Sequence, residues 1–577
     1  MDYSILIGGA AGQGIETVVE LLEKIIKRAG FNIFTYKDYM SMVRGGHNFM
    51  QIRFSENEIF TYNNEIDLLF AMTAETITIH KDKVKTDGII ICDENFEDND
   101  VIKLPFDKLV KELGDNRAIG TIGVGFIVKY FGIEYDIAVN TIKTVLKDKN
   151  VELNLAAFKA GYEIGESKFK LESLEDNKIL INGNQALALG AIAAGVKFYC
   201  GYPMTPSTSV MSYISKHANE MNIVVDQVED EVAALNMALG ASYAGVRAMT
   251  GSSGGGFALM VEALSLAGIM EIPIVLFNAQ RPGPATGLST RSEQADLRFV
   301  IHAGHGEFPK MVIALRNPED AFYQTARAFN LADKYQIPVI LLTDEYLADY
   351  KMTVKPFDFS RITIERYITN EIEIEDERYK RYKYTDSGIS PRLIPGIAKE
   401  KLVLVDSHEH NEYGNIDESI ETRVNMMKKR MKKLELLKEE IKEPEYIGTE
   451  NPEVLLVGFG STYGSIKEAV IRLNSQDDKF GALIFGDIYP FPIENLNSYA
   501  KKAKKIIVIE QNYLSQLKSL IDEYTDIKVD KSILKYDGRA INSDDIILEI
   551  NKFLSNDTIW LECELWKTIN LPQDMKR

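Results

Sequence analysis

Cysteine is scarce in this chain: its 577 residues include three, Cys92, Cys200 and Cys563. They are too few and too scattered for a disulfide framework, and no Cys-x-x-Cys pair exists to hold zinc or an iron–sulfur cluster. Any redox centre must be borrowed from another protein. A run of about 18 apolar residues, long enough to span a bilayer, is also missing. The opening MDYSILIGGAAGQG has no basic segment followed by an apolar stretch, so the chain is read as cytoplasmic, with no membrane role. Positive charge is in deficit, 66 basic against 85 acidic residues, and the net charge of −19 repels a phosphate backbone and disfavours nucleic acid as a partner. No short-period repeat is present, which excludes a solenoid.

What is present is an ordinary folded composition, 45% hydrophobic and 26% charged. At roughly 150 residues per domain the length predicts about four domains, or three larger ones. Alternation of apolar strand-like runs with helical patterns predicts an α/β fold with mainly parallel sheets. The expected units are 1–175, with strands at YSILI, DLLFAM and GIIIC; 178–355, with strands at IVVDQ, PIVLFNA and PVILLTD; and 451–577, with strands at VLLVGFG, ALIFGD and KIIVIEQN. Residues 356–450 are highly charged and read as a linker with a helical insertion. In that helix Val424, Met427, Met431, Leu434 and Ile441 form an apolar stripe, and Lys428, Lys429, Arg430, Lys432 and Lys433 are expected on the solvated remainder.

Several loops carry candidate chemistry. The cluster Gly8-Gly9-Ala10-Ala11-Gly12-Gln13-Gly14 lies between a strand and a helix, where N–H groups face outward, yet it fits neither standard nucleotide loop. A close-packed turn and a phosphate cradle both need such glycines, and the turn is favoured. Arg44-Gly45-Gly46-His47 adds a cation beside flexible backbone. In Tyr202-Pro203-Met204-Thr205-Pro206-Ser207-Thr208 two prolines fix the direction of Thr205, whose hydroxyl could grip a carboxylate or a keto oxygen. A helix N-cap by Ser207 or Thr205 explains the same composition. Glu229 and Asp230 suit the positive end of a helix, whereas Glu231 precedes small residues that permit close packing and is expected to be buried and suited to proton exchange. Thr250-Gly251-Ser252-Ser253-Gly254-Gly255-Gly256 leaves room for a ligand against backbone. Arg281 and Arg291 sit in a loop after a buried strand, at the edge where open α/β sheets bind ligands, and Arg291 is a candidate for a bidentate grip on a substrate carboxylate. His408-Glu409-His410 alternates sides on an extended segment, so no metal is assigned to the chain.

Taken together, INGNQALALGAIAAG, YPMTPST, EDEVAALNMALGASYAG, RPGPATGLSTRSEQADL, SPRLIPG and EHNEYG closely resemble the alpha subunit of 2-oxoacid:ferredoxin oxidoreductases. Residues 1 to about 170, with GGAAGQG and VRGGHN, look like the gamma subunit of that family, so the whole chain resembles a gamma–alpha fusion. The resemblance implies a gamma-like domain, a thiamine-diphosphate pyrimidine-type domain and a transketolase C-terminal-like domain, and an enzyme that oxidatively decarboxylates a 2-oxoacid, transfers the acyl group to coenzyme A and reduces ferredoxin. On it, Glu231 matches the glutamate that hydrogen-bonds the aminopyrimidine ring and promotes loss of the thiazolium C2 proton. Ser253 and Gly254 are implied to contact cofactor, Thr205 and Arg291 to contact substrate, and Gly12, Gly14 and Arg44 to serve coenzyme A or a neighbouring subunit. Gly255 stands where the family usually has proline, which is expected to make that loop more mobile. Gly458-Phe459-Gly460-Ser461 and Glu510-Gln511-Asn512 are expected to serve folding or subunit contact.

No Gly-Asp-Gly motif followed by Asn is found to bind a metal-held diphosphate. A beta subunit is therefore implied, bringing Mg2+, the diphosphate domain and an iron–sulfur cluster, in a dimer of alpha–beta units. The first expected substrate is 2-oxoglutarate, ahead of pyruvate and branched-chain oxoacids. A self-contained thiamine-dependent lyase or transketolase is the alternative enzyme, and a non-catalytic scaffold the alternative without chemistry.

Overall fold

The computed structural model describes residues 1–577 except 42–44, 99, 147–149, 370–377, 398–400 and 556–577, so Arg44 and Cys563 lie outside the described residues. The N-terminal region supplies β1 Asp2–Ala11, β2 Asn32–Asp38, β3 Gly45–Ser55, β4 Ile66–Ala71, β5 Val84–Asp93 and β6 Ile102–Leu104. They lie in the order β6-β5-β4-β1-β3-β2. The sheet is mixed rather than mainly parallel: β1 runs parallel to β4 but antiparallel to β3, which is antiparallel to β2. In β3, Met50, Ile52 and Phe54 join the core under the sheet while Gln51, Arg53 and Ser55 turn the other way. That polar face is buried too, because Arg53 reaches Glu468 of the C-terminal region at 2.7 Å.

The middle region supplies β7 Ile179–Asn182, β8 Phe198–Gly201, β9 Val224–Gln227, β10 Ala248–Ser252, β11 Ile274–Gln280, β12 Met311–Ala314, β13 Pro338–Asp344 and β14 Lys351–Val354. Six of these form a parallel sheet in the order β12-β13-β11-β10-β8-β9. β11 and β13 are buried at every residue, which is why they read as near-continuous apolar runs. β7 and β14 leave this sheet. They pair antiparallel with each other, and β14 pairs with β2, so the first and last strands of the middle region complete the eight-stranded N-terminal sheet.

The last region supplies β15 Glu445–Gly448, β16 Val454–Phe459, β17 Phe480–Phe485, β18 Asp487–Tyr489, β19 Lys505–Glu510 and β20 Lys531–Leu534. Five form the sheet β15-β17-β16-β19-β20, while β18 crosses to the outer edge of the middle sheet beside β12. Cys92 and Cys200 are buried free thiols, and burial pushes them up to about 11 and about 12, so neither is a ready thiolate at neutral pH. No helix among the described residues is long and apolar enough to cross a membrane.

The segment between the last two regions corrects the expected apolar stripe. Its helix Ile420–Leu437 buries Met426, Lys429, Arg430, Lys433 and Leu437, while Val424 is 43% exposed and Ile441 lies beyond the helix end. Three basic residues are therefore inside. The reason is a buried carboxylate: Lys429 Nζ donates to both oxygens of Glu271, at 2.7 and 2.8 Å, and Lys433 Nζ donates to Oε2 of the same residue. The segment is anchored twice more. Asp333 receives Arg247 and Arg392 at 2.9 Å and Arg366 at 3.2 Å, and Glu409 receives Arg423 and Arg430. The arginine of SPRLIPG and the first glutamate of EHNEYG are thus fastenings that strap this segment across the middle region.

Candidate functional site

Parallel strands end at a common edge, and the loops leaving β8, β9, β10, β11 and β13 gather there. After β9, Asp230 caps the helix Glu231–Tyr243 by accepting the Ala233 N–H, which places Glu231 in its first turn. Glu231 is 2% exposed. Ser252 Oγ, at the end of β10, donates to Glu231 Oε1 at 2.8 Å, and no other side-chain hydrogen bond reaches that carboxylate among the described residues. One carboxylate oxygen is thus left for a ligand. The roof is Gly256, where a Cβ would stand 2.1 Å from Glu231 Oε1 and 2.0 Å from Ser252 Oγ. Any larger residue would displace the carboxylate.

Around this group lie buried polar atoms without partners: Thr250 Oγ1, Ser253 Oγ and Asn278 Oδ1. Orphaned polar atoms this deep cost stability unless a ligand satisfies them, and here they line the carboxyl edge of β10 and β11. Ser253 and Gly254 begin the helix Gly254–Met270, whose N-cap, Ser253, makes no side-chain capping bond. A Cβ on Gly254 would lie 2.4 Å from Asp296 Oδ2. Burial and that neighbour raise Glu293 to about 7, and burial also raises Asp296 although Asn278 Nδ2 donates to it at 3.0 Å.

Gly255 belongs to the first turn of this helix, not to a mobile loop. It is exposed, and the nearest atom a new Cβ would meet is the Ala285 carbonyl oxygen at 3.9 Å. A first-turn N–H has no partner within the helix, and Gly254 lacks the Cβ that a following proline ring would strike. Gly255→Pro is therefore expected to stabilise the protein by about 0.4–1 kcal/mol, read by urea denaturation. A loss of stability would show that the position requires glycine.

Thr205 follows β8 and is half-buried, with its carbonyl accepting Arg281 Nη1 at 2.7 Å. Its hydroxyl makes no hydrogen bond among the described residues. The N-cap explanation does not hold, because the helix Thr208–Met221 has no side-chain cap and Ser207 Oγ donates instead to the Met204 carbonyl at 2.6 Å. Arg291 is 9% exposed and pairs through Nη1 with Asp38 Oδ1 of β2 at 2.5 Å. The loop that carries Arg281 and Arg291 is held from three sides. Thr290 Oγ1 donates to the Tyr39 carbonyl at 2.8 Å, Ser292 N to the Gly538 carbonyl at 3.2 Å, and Gln294 Nε2 to the Phe459 carbonyl at 3.0 Å. The Gly458–Ser461 and Glu510–Asn512 turns supply part of that seat: Ser461 Oγ donates to Asp344 Oδ2 at 2.5 Å and the Gln511 carbonyl accepts Gln294 N at 2.6 Å.

The first glycine loop runs from the end of β1 into the helix Ile15–Arg28. Gly12 and Gly14 have φ of 92° and 82°, so their glycines are explained by left-handed backbone, and a Cβ at either would meet nothing within 4 Å. The cluster is open at these two positions but close-packed at Gly8 and Gly9, where a Cβ would stand 2.6 Å from Thr76 Cγ2 and 2.5 Å from Gln13 Oε1. Ser252, Asn278 and Asp296 lie within stretches quoted from the sequence but were given no role of their own there, and Asp38 was not singled out. Nothing local marks Asp38, which ends an ordinary strand.

A parallel sheet whose carboxyl edge holds a buried, half-satisfied carboxylate under a glycine roof defines the cofactor-binding part of an α/β enzyme. Comparison with known proteins specifies which. Residues 4–164 match the family "Pyruvate ferredoxin/flavodoxin oxidoreductase", residues 189–429 "Pyruvate flavodoxin/ferredoxin oxidoreductase, thiamine diP-bdg", and residues 452–546 "Pyruvate:ferredoxin oxidoreductase core domain II". The 2-oxoacid:ferredoxin oxidoreductase subunit alpha of Sulfolobus sp is 34% identical, over 95% of this chain and 96% of its own length. The 2-oxoglutarate synthase subunit KorA of Archaeoglobus fulgidus is 32% identical, over 58% of this chain and 88% of its own. The 2-oxoglutarate:ferredoxin oxidoreductase from Magnetococcus marinus, solved with 2-oxoglutarate, coenzyme A and succinyl-CoA bound, superposes with a TM-score of 0.89 at 30% identity, covering 96% of this chain and 99% of that one. The chain belongs to the family of 2-oxoacid:ferredoxin oxidoreductase alpha subunits, which depend on thiamine diphosphate.

Proposed function

We propose that the chain is a gamma–alpha fusion that works with a beta subunit to convert a 2-oxoacid, first of all 2-oxoglutarate, and coenzyme A into acyl-CoA and CO2, with the electrons passing to ferredoxin. The observation that carries this reading is Glu231: a buried carboxylate with one oxygen held by Ser252 and no recorded partner for the other. Bound thiamine diphosphate supplies the carbon nucleophile and the electron sink for decarboxylation. In this reading Glu231 hydrogen-bonds the aminopyrimidine ring and sets its protonation, and Ser253 and Gly254 line the ring. Thr205 donates its free hydroxyl to the substrate, and Arg291 grips the substrate carboxylate. Gly12 and Gly14 are assigned to coenzyme A or to a neighbouring subunit.

The need for a second subunit is supported by the surface beside Glu231. Val232 and Met237 on its helix and Leu259 on the neighbouring helix are exposed apolar side chains, the kind of face that a partner covers. The diphosphate, Mg2+ and an iron–sulfur cluster are assigned to that partner, in a dimer of alpha–beta units. Gentle affinity purification from oxygen-free extract of the native cells tests the reading. A stoichiometric second chain is expected, with thiamine diphosphate and iron in the isolated complex. Recovery of this chain alone, free of both, would overturn it.

A further inference from the structure

A guanidinium offers two edges to a carboxylate, Nη1 with Nη2 and Nε with Nη2. In Arg291 the protein occupies only one corner: Nη1 donates to Asp38 Oδ1 at 2.5 Å, and no hydrogen bond from Nε or Nη2 is found among the described residues. The second edge is complete and unspent. Asp38 is 4% exposed, and its other oxygen forms an ion pair with Arg539 Nε of the C-terminal region at 2.7 Å, without hydrogen-bond geometry. It ends β2, two residues beyond Tyr36, whose ring stacks on Tyr62 at 4.3 Å, and Tyr62 Oη donates to the Ala540 carbonyl at 2.6 Å. Gly538 completes the seat, since a Cβ there would approach Arg291 Cβ at 3.2 Å. A second acid nearby, Glu345, is pushed up by burial and by Asp349.

We propose that Asp38 is a positioning residue for the oxidative decarboxylation: it holds Arg291 by one corner so that the Nε and Nη2 edge is presented to the carboxylate of the 2-oxoacid. The inference rests on the assignment of Arg291 to the substrate carboxylate and adds to it a working role for the N-terminal domain. An arginine released from Asp38 would have to be ordered by the substrate itself, which costs side-chain entropy at each binding event.

The test uses the assembled holoenzyme with its partner chain, comparing Arg291→Met, Asp38→Asn and Asp38→Glu for KM of the 2-oxoacid, KM of coenzyme A and kcat. Asp38→Asn is expected to raise the oxoacid KM about tenfold or more, as loss of a charged hydrogen bond should, while kcat and the coenzyme A KM stay within about threefold. Asp38→Glu, which restores the carboxylate, is expected to recover part of the loss. If Arg291→Met raises the oxoacid KM but Asp38→Asn does not, the proposal fails and the assignment of Arg291 survives. If Arg291→Met leaves that KM unchanged, the assignment itself falls and the proposal with it. A loss in Asp38→Asn that moves both KM values together, with no recovery in Asp38→Glu, would mark Asp38 as merely structural and overturn the proposal. Should Asp38→Asn fail to assemble, Arg539→Gln decides: freeing the second Asp38 oxygen at this half-exposed arginine is expected to raise the oxoacid KM severalfold, and an unchanged value overturns the proposal.

Discussion

Glu231→Gln in the assembled complex is expected to slow hydrogen–deuterium exchange at C2 of bound thiamine diphosphate by roughly 10²–10⁴-fold, the usual worth of a positioned proton-transfer group. The substitution keeps the shape of the side chain, so Ser252 can still donate to the retained oxygen and the fit beneath Gly256 is undisturbed. On the proposed reading, what is lost is a charge that would favour protonation of the ring nitrogen facing it, and with it the basicity this would lend the rest of the ring. Quenched-flow exchange read by NMR measures the step apart from decarboxylation and electron transfer. Exchange at the wild-type rate would remove Glu231 from the chemistry, even if turnover fell for other reasons.

The second large effect lies far from the site. Glu271→Gln is expected to destabilise the chain by about 3–5 kcal/mol, because it leaves Lys429 and Lys433 buried without a counter-charge. Urea denaturation should report the loss, and limited proteolysis should cut within 355–450 first, since the helix Ile420–Leu437 is fastened through those lysines. Replacing all three residues by Met should recover most of the stability, as buried ion clusters exchanged for apolar groups commonly do. A Glu271→Gln variant as stable and as protease-resistant as the parent would mean the lysines find other partners.

The pH dependence has a definite sign. Burial alone would raise the Glu271 carboxyl, but Lys429, Lys433 and Arg381 outweigh it and hold the group well below its ordinary value of 4.5. A carboxylate depressed in the folded state contributes its full stability above that ordinary value. The contribution is lost as the pH falls from there toward the depressed value, so the strap should loosen in acid.

The middle sheet was legible chiefly where its strands are buried on both faces and carry uninterrupted apolar runs: PVILLTD coincides with β13 residue for residue. The N-terminal sheet was less so. Nothing local in the sequence marks Arg53 as buried: it reaches Glu468, 415 positions on, while Gln51 beside it donates to Ser4 and Asn63. The helix of the strap misled for the same reason. Lysine is ordinarily taken as a surface marker, and nothing near Lys433 in sequence announces a carboxylate 162 residues earlier. At the site, Glu231 was marked by the small residues that follow it, and its burial follows from the glycine at 256. Asp38 carried no mark, since its meaning comes wholly from the arginine it meets.

The pairing of β7 with β14, and of β14 with β2, also sets the order in which the chain can fold as it is made. β2 is an edge strand until residue 354 has been synthesised, and the six parallel strands of the middle sheet are all made in the interval between β7 and β14. The nascent N-terminal region, made by about residue 164, therefore waits while about 190 further residues are added with its hydrogen-bonding edge open. That edge is vulnerable to pairing with another chain, and it is closed only when the last strand of its neighbour returns to cover it.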